Sequence, residues 1–239
     1  MELNPNHFKS IVVLTGAGIS AESGLKTFRD NNGLWENHAV EDVATQEAFE
    51  RNPELVHRFY NLRRQQLRKE ALPNPAHCAL AEFEKHFSGD FLLVTQNVDN
   101  LHEQANSQNL LHMHGELLKA RCTQCESIAL WEEDLHQGSA CNHCLTQGCM
   151  RPHIVWFGEM PLYMENIEKA LIGCDLFVSI GTSGNVYPAA GFVQLARASG
   201  ATTLELNLEP SSGASSFHHC LHGPAATIVP EFFHNLERP

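Results

Sequence analysis

Short apolar runs rich in β-branched residues recur at 11–15, 91–95, 110–113, 176–180 and 202–206, and each ends in a polar or glycine-containing turn followed by helical periodicity. That alternation predicts a parallel α/β sheet. The five turns are Gly16-Ala17-Gly18-Ile19-Ser20, Gln96-Asn97-Val98-Asp99, His114-Gly115, Gly181-Thr182-Ser183 and Asn207-Leu208-Glu209. Open α/β sheets bind ligands outside the carboxyl ends of their strands, which is where all five turns fall, so one crevice collects them.

Two stretches break the alternation. Residues 31–75 read as helical, with Asn52 as N-cap, Pro53 at the first helical position and Leu55, Phe59 and Leu62 on one face. Residues 116–152 carry five of the eight cysteines and little apolar periodicity, too little for an ordinary core, so a metal is expected to hold them. Within them Cys122-x2-Cys125, fifteen residues and Cys141-x2-Cys144 have the spacing of a four-cysteine zinc site. Four thiolates close the coordination sphere, which makes such a zinc structural. His143 and Cys149 are rival ligands by spacing alone, and Cys78, Cys174 and Cys220 read as small core residues.

The chain has 239 residues with 16 Lys+Arg against 28 Asp+Glu, a formal net charge of −12. That balance argues against nucleic acid or an anionic membrane as a partner. No run approaches the roughly 18 apolar residues of a membrane span, and Met1 to Asn6 lack the basic and apolar regions of a signal peptide, so a cytoplasmic protein is expected. In that compartment eight cysteines point to metal or reactive thiols and not to disulfides.

Gly16-x-Gly18-x-x-Ala21 after a strand fits the Gly/Ala form of a dinucleotide fingerprint, in which small residues let backbone N–H groups approach a pyrophosphate. The acidic residue expected about 20 positions later, at the end of a second strand, is missing because a helical insert begins there. Asn207 and Glu209 are the alternative ribose partners. In His112-Met113-His114-Gly115 the two imidazoles share a face if the strand continues through both, and His114, nearer the carboxyl end, is the better general base. Asp99 and Asn97 follow as catalytic candidates, with helix capping as the plain alternative.

Together these segments, with Thr27-Phe28-Arg29 and Val155-Trp156-Phe157-Gly158-Glu159, resemble the sirtuins, the NAD-dependent protein deacylases, in order from about residue 10 to 231. Tyr60-x-x-Arg63 resembles the bacterial class that also removes acidic acyl groups. The resemblance implies a Rossmann-like parallel sheet with helices on both faces (1–30, 76–115 and 153–239) and a small domain of a helical lobe (31–75) and a zinc lobe (116–152). It implies a NAD loop from Gly16 to Trp35 that includes Ala17, Gly18, Ile19, Ala21, Glu22, Thr27, Phe28 and Arg29. Gln96, Asn97, Val98 and Asp99 would surround the nicotinamide and its ribose, with His114 as the base. Gly181, Thr182, Ser183, Asn207, Leu208, Glu209 and Ala225 would meet the adenosine side. An acyl-lysine peptide would bind as a strand between 155–158 (Val155, Trp156, Phe157, Gly158) and 184–186. Tyr60 and Arg63, three apart on a helix, would meet an acyl carboxylate, with Ala44 leaving room for the longer chain. The family reaction passes through an alkylimidate to free lysine, nicotinamide and O-acyl-ADP-ribose. A NAD-dependent ADP-ribosyltransferase and a non-catalytic NAD or ADP-ribose sensor are the alternatives.

Overall fold

The computed structural model describes residues 8–25, 34–35 and 38–237. Six strands, β1 (Ser10–Thr15), β4 (Asp90–Thr95), β5 (Leu110–His112), β9 (Leu176–Ile180), β10 (Thr202–Asn207) and β11 (His219–His222), form one sheet in the order β5-β4-β1-β9-β10-β11. Every pairing in it is parallel. Five of these strands coincide, to within a residue or two, with the expected apolar runs. The sixth, β11, reads His-Cys-Leu-His at the sheet edge and carries no apolar pattern that could have announced it.

Alternate residues of each strand face opposite sides. Ile11, Val13, Leu93, Val178 and Leu204 pack on one side against α5 (Pro75–His86) and α9 (Ala225–Glu237), through Leu80, Phe83, Val229 and Phe233. Val12, Leu14, Val94 and Phe177 pack on the other against α7 (Met164–Gly173) and α8 (Phe192–Ala198). A sheet covered on both faces needs nearly continuous apolar strands, and β1 is buried from Ile11 to Thr15. The strand order reverses on either side of β1, so the switch-point crevice of a doubly wound sheet opens between the carboxyl ends of β1 and β9.

The first interruption holds a short hairpin, β2 (Leu34–Trp35) with β3 (His38–Ala39), then α2 (Val40–Val43), α3 (Gln46–Arg51) and α4 (Pro53–Glu70). Asn52 Oδ1 accepts from Leu55 N–H at 3.1 Å and Pro53 opens α4, the expected start. The expected face is corrected by about one residue of rotation. Leu62 is 56% exposed, and the buried stripe is Val56, Phe59, Tyr60, Arg64 and Leu67. Arg64 brings the difference: its Nε donates to Leu117 O at 3.1 Å and its Nη1 to Asn61 Oδ1 at 2.9 Å, which turns a charged residue inward. The second interruption is a three-stranded antiparallel sheet in the order β7-β6-β8, from β6 (Gly115–Cys122), β7 (Ile128–Leu130) and β8 (Met150–Ile154). A single helical turn, α1 (Ala17–Ser20), follows β1, and another, α6 (Leu101–Gln104), follows the β4 turn. No helix among the described residues is long and apolar enough to cross a membrane.

Candidate active site

The turns after β1 and β9 meet backbone to backbone. Gly16 N–H donates to Ile180 O at 3.0 Å and Gly18 N–H to Gly181 O at 2.9 Å. A Cβ on Gly18 would lie 2.7 Å from Gly181 Cα, and one on Gly16 would lie 2.9 Å from Gly181 O. Gly181 itself has φ 64°. A side chain at Gly16 or Gly18 would force the strand ends apart, and one at Gly181 would be strained as well. The expected role of these glycines is thereby refined. The N–H groups of Gly16, Gly18 and Ile19 are bonded to protein carbonyls, so Gly16 and Gly18 serve first to let the strand ends close.

On the β9 and β10 side, Asn207 Nδ2 donates to Thr182 O at 2.7 Å and Asn207 Oδ1 accepts from Leu208 N–H at 3.1 Å. Asn207 is buried and ties the two turns together, whereas Leu208 and Glu209 are exposed. Ser183 is half-buried, and its carbonyl accepts from Ser212 N–H. Glu22, exposed like Ala21, accepts from Ala226 N–H at 2.8 Å, which brings the β1 loop to the start of α9 at Ala225. A narrow cleft lies beside these turns, lined among others by Gln96, Thr182, Gly184, Val186 and Ser211. Thr27, Phe28, Arg29 and the Trp35 side chain lie outside the described residues.

The two histidines of the β5 turn separate cleanly. The strand ends at His112, whose Nδ1 lies 3.1 Å from Asn97 O and whose Nε2 lies 2.8 Å from Glu103 Oε1. Burial disfavours its charge, but the Glu103 carboxylate outweighs that and raises its pKa. Both ring nitrogens are committed, so His112 is structural. His114 lies beyond the strand, half-buried, with Nδ1 3.1 Å from Gln96 O. A carbonyl only accepts, so Nδ1 carries the proton and Nε2 is left with its lone pair. Burial lowers the His114 pKa, with the Gln96 bond partly opposing it, so the imidazole is neutral near pH 7. Gly115 has φ 84°, and a Cβ there would collide with the His153 carbonyl, so the turn presenting His114 needs glycine.

The expected Asn97 and Asp99 join a buried polar network whose other members, Ser20, His77, Thr15, Thr95 and His102, carry no spacing signal in the sequence. Asn97 Nδ2 donates to Gly16 O at 3.2 Å and to Ser20 Oγ at 3.1 Å, and Ser20 Oγ–H donates to Asp99 Oδ2 at 3.1 Å. Asp99 Oδ1 also accepts from Leu101 N–H at 3.1 Å, so the capping alternative holds for that oxygen. Burial raises the Asp99 pKa against these two hydrogen bonds. His77 lies 3.4 Å from Ser20 Oγ, and Thr15 Oγ1 lies 2.9 Å from Thr95 Oγ1 and 3.0 Å from His102 Nε2. Val98 is half-buried and its carbonyl receives Leu117 N–H, joining the β4 turn to β6.

The expected peptide edge, 155–158, leaves β8 as an irregular segment. Val155 N–H donates to His114 O and Phe157 N–H to Ala44 O, both at 2.9 Å, and Trp156 N–H donates to Glu159 Oε2 at 2.8 Å. Three consecutive donors are therefore spent within the protein. Arg151 fixes the segment: its Nη1 and Nη2 grip Glu159 at 2.6 and 3.0 Å, and its guanidinium carbon lies 3.3 Å from the centre of the Trp156 ring. Gly158 has φ 89°, and Phe157 is 52% exposed at the rim. Tyr60 is fully buried and its hydroxyl accepts from Trp156 Nε1 at 3.0 Å. Arg63 is half-buried, 4.6 Å above the Phe59 ring, and Ala44 is buried in the same cluster.

The thiols of Cys122, Cys125, Cys141 and Cys144 lie within 4.8 Å of one another. Cys122 Sγ accepts from the N–H groups of Gln124 and Cys125, and Cys141 Sγ from those of His143 and Cys144, the arrangement of two metal-binding knuckles. Ser127 hydrogen-bonds Cys125 and Cys141 and pulls their thiols down, to about 5 and about 7. The four cysteines are thus positioned to bind one zinc. Cys149 stands outside the group of four; its Sγ donates to Thr146 O at 3.0 Å and contacts Cys122 Sγ at 3.4 Å. Of the remaining cysteines only Cys174 is buried; Cys78 is exposed and Cys220 half-exposed, which corrects the core expectation for those two. Cys78 lies on a solvent-facing position of α5 and Cys220 on the edge strand β11.

A doubly wound parallel sheet with a glycine-lined switch point, a neutral histidine held by the Gln96 carbonyl after β5 and a four-thiolate lobe positioned for zinc defines a nucleotide-binding α/β protein. Residues 16–188 match the Sir2 family, and the chain belongs to that family. It is 61% identical to a protein of Pasteurella multocida named NAD-dependent protein deacylase, over 93% of this chain and 95% of that one. A solved Sir2 homolog–NAD complex superposes with a TM-score of 0.88 at 34% identity, covering 98% of this chain and 91% of the other. A Sir2 bound to acetylated peptide superposes with a TM-score of 0.80 at 25% identity, covering 96% and 94%.

Proposed function

We propose that this chain removes acyl groups from lysines of proteins with NAD as co-substrate, yielding nicotinamide and O-acyl-ADP-ribose, and that it accepts succinyl and malonyl as well as acetyl groups. The observation that carries this reading is His114: its Nδ1–H is committed to the carbonyl of Gln96, a residue that lines the cleft, so its Nε2 is left as a neutral base. The residues present fit a dinucleotide at the switch point: the turns after β1 and β9 meet through Gly16, Gly18 and Gly181, where a Cβ would strike the facing backbone, and the glycines bring no side chain to the crevice. When bound, NAD supplies a cationic glycosyl bond from which neutral nicotinamide leaves.

The chain's own residues then have separable tasks. Asn97 and Asp99, fixed by Ser20, hold the wall against which the nicotinamide end would lie, and their burial favours exclusion of water. His114 Nε2 takes up the proton released from a ribose hydroxyl. Gly181, Thr182, Ser183, Asn207, Leu208, Glu209 and Ala225 would meet the adenosine side, Asn207 by fixing the loops. An acyl-lysine peptide would lie between 155–158 and 184–186, bonded on the first edge through the carbonyls of Val155 and Phe157, since the Trp156 carbonyl accepts from Glu159 N–H. Arg63 and the Tyr60 hydroxyl would face the carboxylate of an acidic acyl group. Eight unpaired cysteines suit the reducing cytoplasm.

The test is incubation with NAD and acetyl-, succinyl- and malonyl-lysine peptides in parallel, following nicotinamide and free lysine peptide. All three peptides should be deacylated. Nicotinamide release with radiolabel from NAD appearing on protein, and no peptide deacylated, would replace this reading by ADP-ribosyl transfer.

A further inference from the structure

Outside the cleft and the zinc lobe, Glu205, Cys220 and His222 are grouped like the ligands of a metal site. Glu205 in β10 pairs with Cys220 in β11, and Asn207 pairs with His222, so Glu205, Cys220 and His222 project from the same face of two neighbouring parallel strands. One carboxylate oxygen, the Cys220 thiol and one His222 ring nitrogen lie within 4.8 Å of one another. Metal–ligand bonds of about 2.0–2.3 Å put tetrahedral ligand atoms roughly 3.3–3.8 Å apart, so a movement of about 1 Å or less closes this set on an ion.

The second observation is the state of the carboxylate. The Glu205 side chain is 1% exposed, and its Oε2 has two neighbours: Ser211 N–H, which donates to it at 3.2 Å, and His222 Nε2 at 3.6 Å, beyond hydrogen-bonding range. Its other oxygen, Oε1, is buried with no hydrogen-bond partner. A buried carboxylate in that condition is costly unless a cation completes it. Carboxylate, thiolate and imidazole together are a donor set for zinc or a similar borderline divalent ion.

We propose that Glu205, Cys220 and His222 form a second divalent-metal site, with zinc as its ion, three protein ligands and a fourth position left to water. On binding, the Cys220 proton, now directed at Ala214 O, passes to solvent and the sulfur bonds the metal. His222 is exposed at the sheet edge, which supplies an entry path. The site fastens β11 to β10 and, through Ser211, holds the loop that joins them. It does not depend on the deacylase reading, since its readout is metal content.

The experiment is equilibrium dialysis of the full chain against buffered micromolar Zn²⁺, with metal analysis and cobalt substitution. Wild type should hold two zinc ions per chain, and Cys220→Ala and His222→Ala should each hold one, with affinity for the second ion falling about 100-fold or more. Cobalt in the second site should show the absorption of a single thiolate, absent in Cys220→Ala. His219→Ala changes the opposite face of β11, where His219 pairs with Leu204, and should keep two ions. One zinc in wild type, or equal loss in His219→Ala and His222→Ala, overturns the proposal. Both variants replace edge-strand residues, and a retained four-cysteine zinc reports that the chain has folded.

Discussion

The zinc lobe and the nucleotide cleft are adjacent in the molecule and are held by different forces. Around the four cysteines the buried cluster consists of Ala120, Cys122, Leu135, Cys141, Cys149 and Met150, half of it cysteine that would bind or crowd the metal. The sheet below the cleft is packed on both faces by clusters that draw on strands and helices from the whole chain. The first region is therefore local and depends on one ion, whereas the second is non-local and depends on close approach of backbones and on a buried network. Damage should spread differently in each.

The largest effect is expected where the ion is the core. Cys141→Ala should abolish zinc retention and unfold the lobe, because structural zinc supplies on the order of 10 kcal/mol of folding free energy. Metal analysis with hydrogen exchange would show protection lost over 116–152 while β1, β4 and β9 keep theirs. Equal loss in the sheet would mean that the two regions fold as one unit. In the cleft, His114→Ala should cost turnover on the order of 10²-fold or more, with zinc content and thermal midpoint unchanged. Steady-state kinetics near the wild-type rate would remove His114 as the base and direct attention to Asp99.

Acid should separate the regions more gently. His77, beside Ser20, is held down to about 4 by burial, against 6.5 in an unfolded chain. Between those values the unfolded chain takes up a proton that the folded chain refuses, so stability is lost as pH falls from 6.5 and is smaller by about 3 kcal/mol at pH 4. Thermal midpoints from pH 7 to 5 should decline less steeply for His77→Gln than for wild type, and parallel slopes would exclude His77 as a source of acid sensitivity. The lowered His114 pKa likewise predicts that turnover persists somewhat below pH 6.5 before protonation removes the base. Smallest is the effect expected at Arg63. Arg63→Met should lower desuccinylation efficiency about 10- to 100-fold, since hydrogen bonds to charged groups are worth roughly 1.5–3 kcal/mol, and should lower deacetylation much less. Equal losses on both peptides would place Arg63 in the fold of α4 and not in acyl recognition.

What the sequence by itself determined is what short-range pattern encodes. Continuous apolar runs marked five of the six parallel strands because a sheet covered on both faces leaves no polar side, and the paired Cys-x2-Cys motifs marked the zinc site because each knuckle is closed by its own backbone N–H groups. Asn52-Pro53 marked the start of α4 for the same local reason. The tertiary structure decided what depends on distant partners. It buried the Tyr60 and Arg64 stripe of α4 in place of Leu62, because the Arg64 hydrogen bonds come from β6 and beyond. It added β11, whose polar residues become a strand only by pairing with β10. It also supplied the reason for the opposite roles of His112 and His114, which position along the strand had only suggested: Glu103 occupies the second nitrogen of one imidazole, whereas the other is held by a single carbonyl.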